Sequence, residues 1–297
     1  MAVSRSEPLI DRVFLEKLER LTIRWQRSFP GIVGGHNRSR FPGPGQEFLD
    51  HRHFHHGDDL RAVNWRAYLR LEKLFLKMFQ VEPRVPVRLL LDASRSMDLG
   101  QYNKFRYARQ IAAAVSYVGL VRLDTIHIHP FSTVLEEAHV CSGGRHRFAR
   151  TAEFLGRLQA HGETDFYGVA RQFAANSPQR GLLIVISDFL DQGDCERPLQ
   201  YLADSGHELL LIHVWSEEDR VPPWTGELEL SDAETGDRLE LAFDDDARAA
   251  YTEAFDAWAR RLQELAARKD GRYVGLCTSM PVEEAVFGPL IRARGVE

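Results

Sequence analysis

Val87-Arg88-Leu89-Leu90-Leu91-Asp92-Ala93-Ser94-Arg95-Ser96-Met97 is the stretch on which the fold is decided. Val87, Leu89, Leu90 and Leu91 form a near-continuous apolar run, the pattern of a strand buried on both faces of a parallel sheet. The run stops at Asp92. Asp92, Ser94 and Ser96 therefore fall in the loop leaving the strand's carboxyl end, which is where open α/β sheets place their ligands. Residues 181–187 repeat the pattern with a β-branched and leucine run, and this second strand ends at Asp188.

Working outward, strand and helix patterns alternate from Val85 onward, which predicts a doubly wound, Rossmann-like α/β fold around a parallel sheet. A long helix follows the first loop, with Phe105, Ala108, Ile111, Ala112, Val115 and Val118 on one face. Strands are expected at 124–131, 181–187, 207–214 and 272–277, with an edge strand near 134–140. Helices are expected near 147–158, 166–176, 245–269 and 282–293. Residues 226–243 read as two alternating strands around Glu234-Thr235-Gly236-Asp237, a β-hairpin inserted into the wound pattern. Upstream, 9–29 has helical spacing and is expected to pack on the body. The Gly- and Pro-rich stretch after it reads as loop, and 47–81 as strand-like pieces. The expected division is 1–84, an N-terminal helix with a small β-rich segment, and 85–297, the main domain carrying the hairpin.

The chemistry of the strand ends is that of oxygen. Alternate residues in D-x-S-x-S let Asp92, Ser94 and Ser96 converge if the loop curls over the strand, with Thr164 and Asp188 arriving from neighbouring loops. Two carboxylates and three hydroxyls, with no thiolate or imidazole, suit a hard divalent cation, Mg2+ or Mn2+. The plain alternative for Asp92 and Ser94 is an ordinary strand-end turn, since both residue types bond nearby backbone groups. Asp165 is read as the N-cap of the helix that follows it.

Taken together, Asp92, Ser94, Ser96, Thr164 and Asp188 resemble the metal-ion-dependent adhesion site of von Willebrand factor A domains. The block Arg52-His-Phe-His-His-Gly57-Asp58-Asp59-Leu-Arg61-Ala-Val-Asn64-Trp65 resembles the hallmark of one bacterial branch, the domain-of-unknown-function 58 family. The resemblance runs from about Arg38 to the C-terminal helix. It departs at Glu163, where relatives commonly have a second glycine, at Phe54, often a tyrosine, and at Asn64, often acidic. It implies a von Willebrand factor A-type sheet and a non-enzymatic, divalent-metal-dependent protein-interaction module. It further implies a MoxR-type AAA+ ATPase as partner, and a role in assembly or metallocofactor insertion of a client protein.

Composition bounds the alternatives. The 297 residues carry 43 acidic and 38 basic side chains, a formal charge of -5, too balanced for a nucleic-acid footprint. No apolar run approaches the roughly 20 residues of a membrane helix, and the N-terminus carries acids where a signal peptide is apolar, so a cytoplasmic protein with no integral membrane segment is expected. Cys141, Cys195 and Cys277 form neither a zinc spacing nor a disulfide framework. A magnesium-dependent phosphatase or other hydrolase would need a nucleophile or base beside the ion. Ser94 stands where a phosphoaspartyl enzyme has its second Asp, neither Ser94 nor Ser96 lies in G-x-S-x-G, and no G-x-x-x-x-G-K-[ST] occurs.

Two clusters have plain readings beside functional ones. His51, His53 and His55 would share a face of an extended segment, which could bind zinc or nickel but also suits a solvated turn. In the Gly57 block, Asp58 and Asp59 are read as turn acids pairing with Arg52 or Arg61, with Trp65 anchoring the loop to the core; its exposed members are candidates for partner contact.

Overall fold

The computed structural model describes residues 8–23, 40–42, 47–55, 58, 60, 63–80, 86–99, 103–177, 179–191 and 195–296. The chain forms two compact units, 27–85 and the remainder, so the N-terminal segment belongs with the large unit.

That segment carries α1 (Arg12–Leu18), capped by Asp11, whose side chain accepts from the Phe14 amide. It is much shorter than the expected 9–29 helix; Leu21 and Ile23 lie beyond its end, and 24–29 fall outside the described residues. Phe14, Leu18, Leu21 and Ile23 are buried in the main core. Gln110 donates to the Leu9 carbonyl at 2.9 Å, which ties the segment to the body as expected.

The small unit is built on β1 (Arg40–Pro42), β2 (Glu47–His53) and β3 (Phe75–Gln80), an antiparallel sheet in the order β1-β3-β2. Between β2 and β3 lies α2 (Trp65–Leu71), a helix the strand-like reading of 47–81 did not anticipate. Asn64 caps it, accepting from the Ala67 amide. Val63 and Leu76 form this unit's small buried cluster, with Phe54 and Leu74 against it.

In the large unit the expected strands all form. In chain order the elements are β4 (Val87–Asp92), α3 (Lys104–Val121), β5 (Ile126–Phe131), β6 (His139–Cys141), α4 (Phe148–Arg157), α5 (Phe166–Asn176), β7 (Leu182–Ser187), α6 (Glu196–Asp204), β8 (Glu208–Trp215), α7 (Glu217–Arg220), the hairpin β9 (Gly226–Ser231) and β10 (Arg238–Phe243), α8 (Asp245–Arg268), β11 (Arg272–Cys277) and α9 (Val282–Ala285). A π-helical turn, Val286–Leu290, holds Pro289 and continues α9. The edge strand β6 is shorter than the expected 134–140 and shifted toward its end.

The six-stranded sheet runs β11-β8-β7-β4-β5-β6, parallel except for antiparallel β6. Numbered by first appearance this is 3-2-1-4-5-6, the doubly wound order, and its reversal point lies between β4 and β7. Pleating sends Leu89 and Leu91 to one face, with α1, α3 and α4, and Leu90 to the other, with α5, α6 and α8. Both faces of β4 and β7 are covered, which is why their sequences are apolar at nearly every position.

Candidate metal centre at the sheet's reversal point

Asp92 and Ser187 end the two strands that flank the reversal point. Leu91 pairs with Ile186 in register, so the next residues stand side by side. Ser187 Oγ donates to Asp92 Oδ2 at 2.5 Å, and the Ser94 amide donates to Asp92 Oδ1 at 2.9 Å. The second bond is the local Asx turn anticipated as the plain reading; it also curls the loop so that Ser94 Oγ and Ser96 Oγ lie 3.0 Å apart. Asp92 and Ser94 are fully buried and Ser96 half-buried. The three residues of D-x-S-x-S are thus joined in one polar chain.

Asp188 follows β7 and is also buried. The next residue, Phe189, has a φ of 53°, a left-handed backbone that costs a non-glycine residue free energy and persists only where packing holds it. Its ring is stacked on Phe166 and meets His213 edge-on, each at a 5.8 Å centroid distance, and the Phe189 amide donates to Ser187 Oγ at 2.8 Å. This turn leaves Asp188 Oδ1 accepting from the Leu190 amide and Oδ2 facing Lys104.

Lys104 was not singled out in the sequence. It opens α3, is 2% exposed, and places Nζ 2.7 Å from Asp188 Oδ2 and 3.3 Å from Asp219 Oδ2. Asp219 belongs to the capping box of α7, where its carboxylate accepts from the Ser216 amide. A lysine in the first turn of a helix opposes the helix dipole, and here the two carboxylates offset that cost. Burial disfavours the Lys104 charge, but Asp188 and Asp219 outweigh it and hold the ammonium above its ordinary range. At Asp92, burial and then the Asp188 charge push the carboxyl well above the usual range, against hydrogen bonds from Ser187 and Ser94 that lower it.

The donors are of the oxygen type that a hard divalent cation takes. Asp188 and Asp219 share the Lys104 ammonium, while the Asp92 carboxyl is bonded to Ser187 and Ser94 at the neighbouring strand end. The donors nearest Asp92 are hydroxyls, the ligand type of magnesium and manganese.

Thr164 lies in the loop between α4 and α5, which backbone bonds lace to the D-x-S-x-S loop. His161 N donates to the Ala93 carbonyl at 2.7 Å and Arg95 N to the Gly162 carbonyl at 3.1 Å. Gly162 has a φ of 74°, and a Cβ there would meet Thr133 Oγ1 at 3.3 Å, so glycine suits the position on both counts. Thr164 itself is engaged by Glu234 of the hairpin turn: its amide donates to Oε2 at 2.9 Å and its hydroxyl to Oε1 at 3.1 Å. Glu234 had no sequence signal, because hairpin spacing does not say where the tip points. Asp165 caps α5, accepting from the Gly168 amide at 2.8 Å.

In the small unit, Arg52 binds Asp58 through both guanidinium nitrogens, at 2.8 and 2.7 Å, and the His55 amide adds a third bond. The Arg52 bond, then that of His55, brings the Asp58 carboxyl down to about 2. Gly57, Asp59 and Arg61 lie outside the described residues, as does His56. Trp65 corrects the expectation of a core anchor: it is 54% exposed, at the start of α2, with its ring edge-on to Tyr68 at 6.2 Å. An N-cap at Asn64 starts a helix whose first residue points outward. The histidines are engaged separately, His51 with Asn64 Nδ2 at 2.7 Å, His53 with the Phe75 ring, and His55 with Arg52. Among the described residues no group of three or more His, Cys, Asp and Glu side chains is arranged to hold a metal. Nor, among them, is any helix long and apolar enough to cross a membrane.

The family model described as "Protein of unknown function DUF58" matches residues 50–261. "Uncharacterized protein Rv1480" of Mycobacterium tuberculosis and "Uncharacterized protein Mb1516" of Mycobacterium bovis are each 27% identical over 249 residues, 80% of this chain and 78% of theirs. Among solved structures, BatB from Bacteroides thetaiotaomicron matches with a TM-score of 0.44 and 16% identity, over 70% of this chain and 98% of that one. The von Willebrand factor type A structure from Catenulispora acidiphila matches with a TM-score of 0.44 and 12% identity, over 74% and 43%.

Proposed function

This chain belongs to the DUF58 family, and from that premise we propose that it is a non-enzymatic protein-interaction module whose binding depends on Mg2+ or Mn2+. The observation that carries the reading is the placement of largely buried oxygen donors, Asp92, Ser94 and Ser96 joined by hydrogen bonds, at the reversal point of a doubly wound sheet. Asp92, Ser94 and Ser96 would hold the ion, with Asp188 and Thr164 beside them, some through water. When bound, the ion supplies an open coordination position for a carboxylate of the partner protein.

The chain's own residues supply the rest. Lys104 neutralises part of the Asp188 charge and keeps that carboxylate oriented. Ser187 donates to Asp92, accepts from Phe189 and is fully buried, so it orients that carboxyl and is out of reach of a substrate. The proposed partner is a MoxR-type AAA+ ATPase, with which the module would act in assembly or metallocofactor insertion of a client; this rests on the family resemblance.

The test is a thermal-shift titration with Mg2+ and with Mn2+ on the wild type and Asp92→Ala, followed by ATPase capture with and without chelator. An ion at about 100 times its dissociation constant adds about 2.7 kcal/mol, worth roughly 2 to 4 °C per kcal/mol at this size. A saturable rise that Asp92→Ala lacks is the expected result. Equal ATPase capture with and without chelator would overturn the metal dependence, and steady hydrolysis of p-nitrophenyl phosphate abolished by Asp92→Ala would favour the hydrolase instead.

A further inference from the structure

The hairpin β9–β10 stands largely exposed along both strands, yet its tip is ordered by its own turn. Asp232 Oδ1 accepts from the amides of Glu234 and Thr235 at 2.8 and 2.9 Å, Gly236 N donates to the Asp232 carbonyl, and Gly236 takes the left-handed φ of 77° that closes the turn. The turn projects Glu234 onto a residue 70 positions away. There the two oxygens of one carboxylate meet two donors of one residue, the Thr164 amide and the Thr164 hydroxyl.

Thr164 is a prepared receptor for such a group. Its loop is held to the D-x-S-x-S loop by the bonds at Ala93 and Gly162, and the Asp165 amide is fixed on the Ser132 carbonyl. The Thr164 amide points at a side chain instead of joining a backbone ladder. Its hydroxyl gives its hydrogen to Glu234 and keeps its lone pairs, so a carboxylate on Thr164 is compatible with Thr164 also serving the ion.

We propose that Thr164 is the carboxylate-recognition subsite of the interaction surface, and that Glu234 is an internal ligand which an acidic side chain of the partner protein must displace. The proposal rests on the reading of the D-x-S-x-S loop as an interaction site and adds to it how the partner is recognised and what competes with it. The hairpin carries its carboxylate at high effective concentration, so the free subsite is the minor state. A subsite open about one time in ten weakens apparent affinity about tenfold. Both bonds to Glu234 are partly exposed, which keeps them exchangeable.

The test uses acetate as the probe, titrated against chloride at constant ionic strength, with the Thr164 amide followed by NMR in the full-length wild type, in Glu234→Ala and in the double variant Glu234→Ala/Thr164→Val. In EDTA, Glu234→Ala should show a saturable response with half-saturation at about one tenth of the acetate that the wild type needs, and the double variant should lose that gain. Equal titrations of wild type and Glu234→Ala, or an unresponsive Thr164 amide in Glu234→Ala, would overturn the proposal. Repeating the series with Mg2+ separates the two readings. Failure of Mg2+ to tighten acetate binding counts against the metal dependence, while the tenfold difference measured in EDTA still supports the subsite.

Discussion

At the scale of single residues, Lys104 organises the candidate centre. Its ammonium is the cation in contact with Asp188, and both side chains are 2% exposed. Removing one partner of such a pair leaves an uncompensated buried charge, which costs about 3 to 5 kcal/mol. Lys104→Met nearly keeps the length of the side chain and removes the charge, so its unfolding free energy from urea denaturation should fall by that amount. If the proposed ion binds at the same carboxylates, Mg2+ should restore more stability to Lys104→Met than it adds to the wild type. A variant as stable as the wild type in EDTA would show that Asp188 does not need this ammonium. Sequence reading singled out Asp92 and Asp188 because each marks the end of an unmistakable buried strand, and Ser94 and Ser96 because they follow in the loop after Asp92. It passed over Lys104 because one lysine in a long amphipathic helix looks like any other.

At the scale of elements, the large unit separates into parts that carry stability and a part that does not. β4 and β7 are buried along their whole length, whereas β9 and β10 are exposed at most positions. Gly226 and Phe243 face one another at the base of the hairpin, so a short glycine turn can replace 227–242 while keeping Phe243, which is buried. Little apolar area leaves water when these strands form, and excision should cost less than about 1 kcal/mol in urea unfolding. A larger loss would mean that the hairpin is a structural brace. Asp165 belongs to the opposite class: as the N-cap of α5 it satisfies the Gly168 amide, and Asp165→Ala should lower stability by about 1 kcal/mol by the same assay. The hairpin and the cap were both legible, since alternation and a carboxylate before a helical run are local signals. The helix at 65–71 was not, because its residues follow no strong apolar period and none of those seven is buried.

At the scale of the whole molecule, the sheet carries buried neutral histidines that couple its stability to pH. His129 and His207 are 7% and 1% exposed, and burial lowers both to about 4, with His127 and Arg88 adding to the effect at His129 and Arg88 at His207. The unfolded chain takes up these protons near pH 6.5, while the folded protein takes them up only near 4. The contribution of these histidines is therefore fully present above about pH 6.5 and is lost as pH drops toward 4, because at these two sites the unfolded state then binds more protons. Between pH 7.5 and 5 the urea midpoint of the wild type should fall relative to that of His129→Leu. Equal pH dependence in the wild type and His129→Leu would show that His129 takes up its proton in the fold.

The sequence by itself determined the class of fold, the strand ends and the chemical type of the donors. Burial on both faces makes a central parallel strand apolar throughout, and the first polar residue after it must lie where the chain emerges. Local periodicity also marked the inserted hairpin and the cap of α5. Tertiary structure alone decided which side chains meet across long separations. Lys104 reaches Asp188 and Asp219 because α3 starts beneath the ends of β7 and β8, and Glu234 reaches Thr164 because the hairpin folds back over the loop before α5. Tertiary structure also turned Trp65 outward where sequence had placed it inward. Such contacts join elements whose own sequences satisfy only local geometry, and their direction is set by how helices and loops pack on the finished sheet.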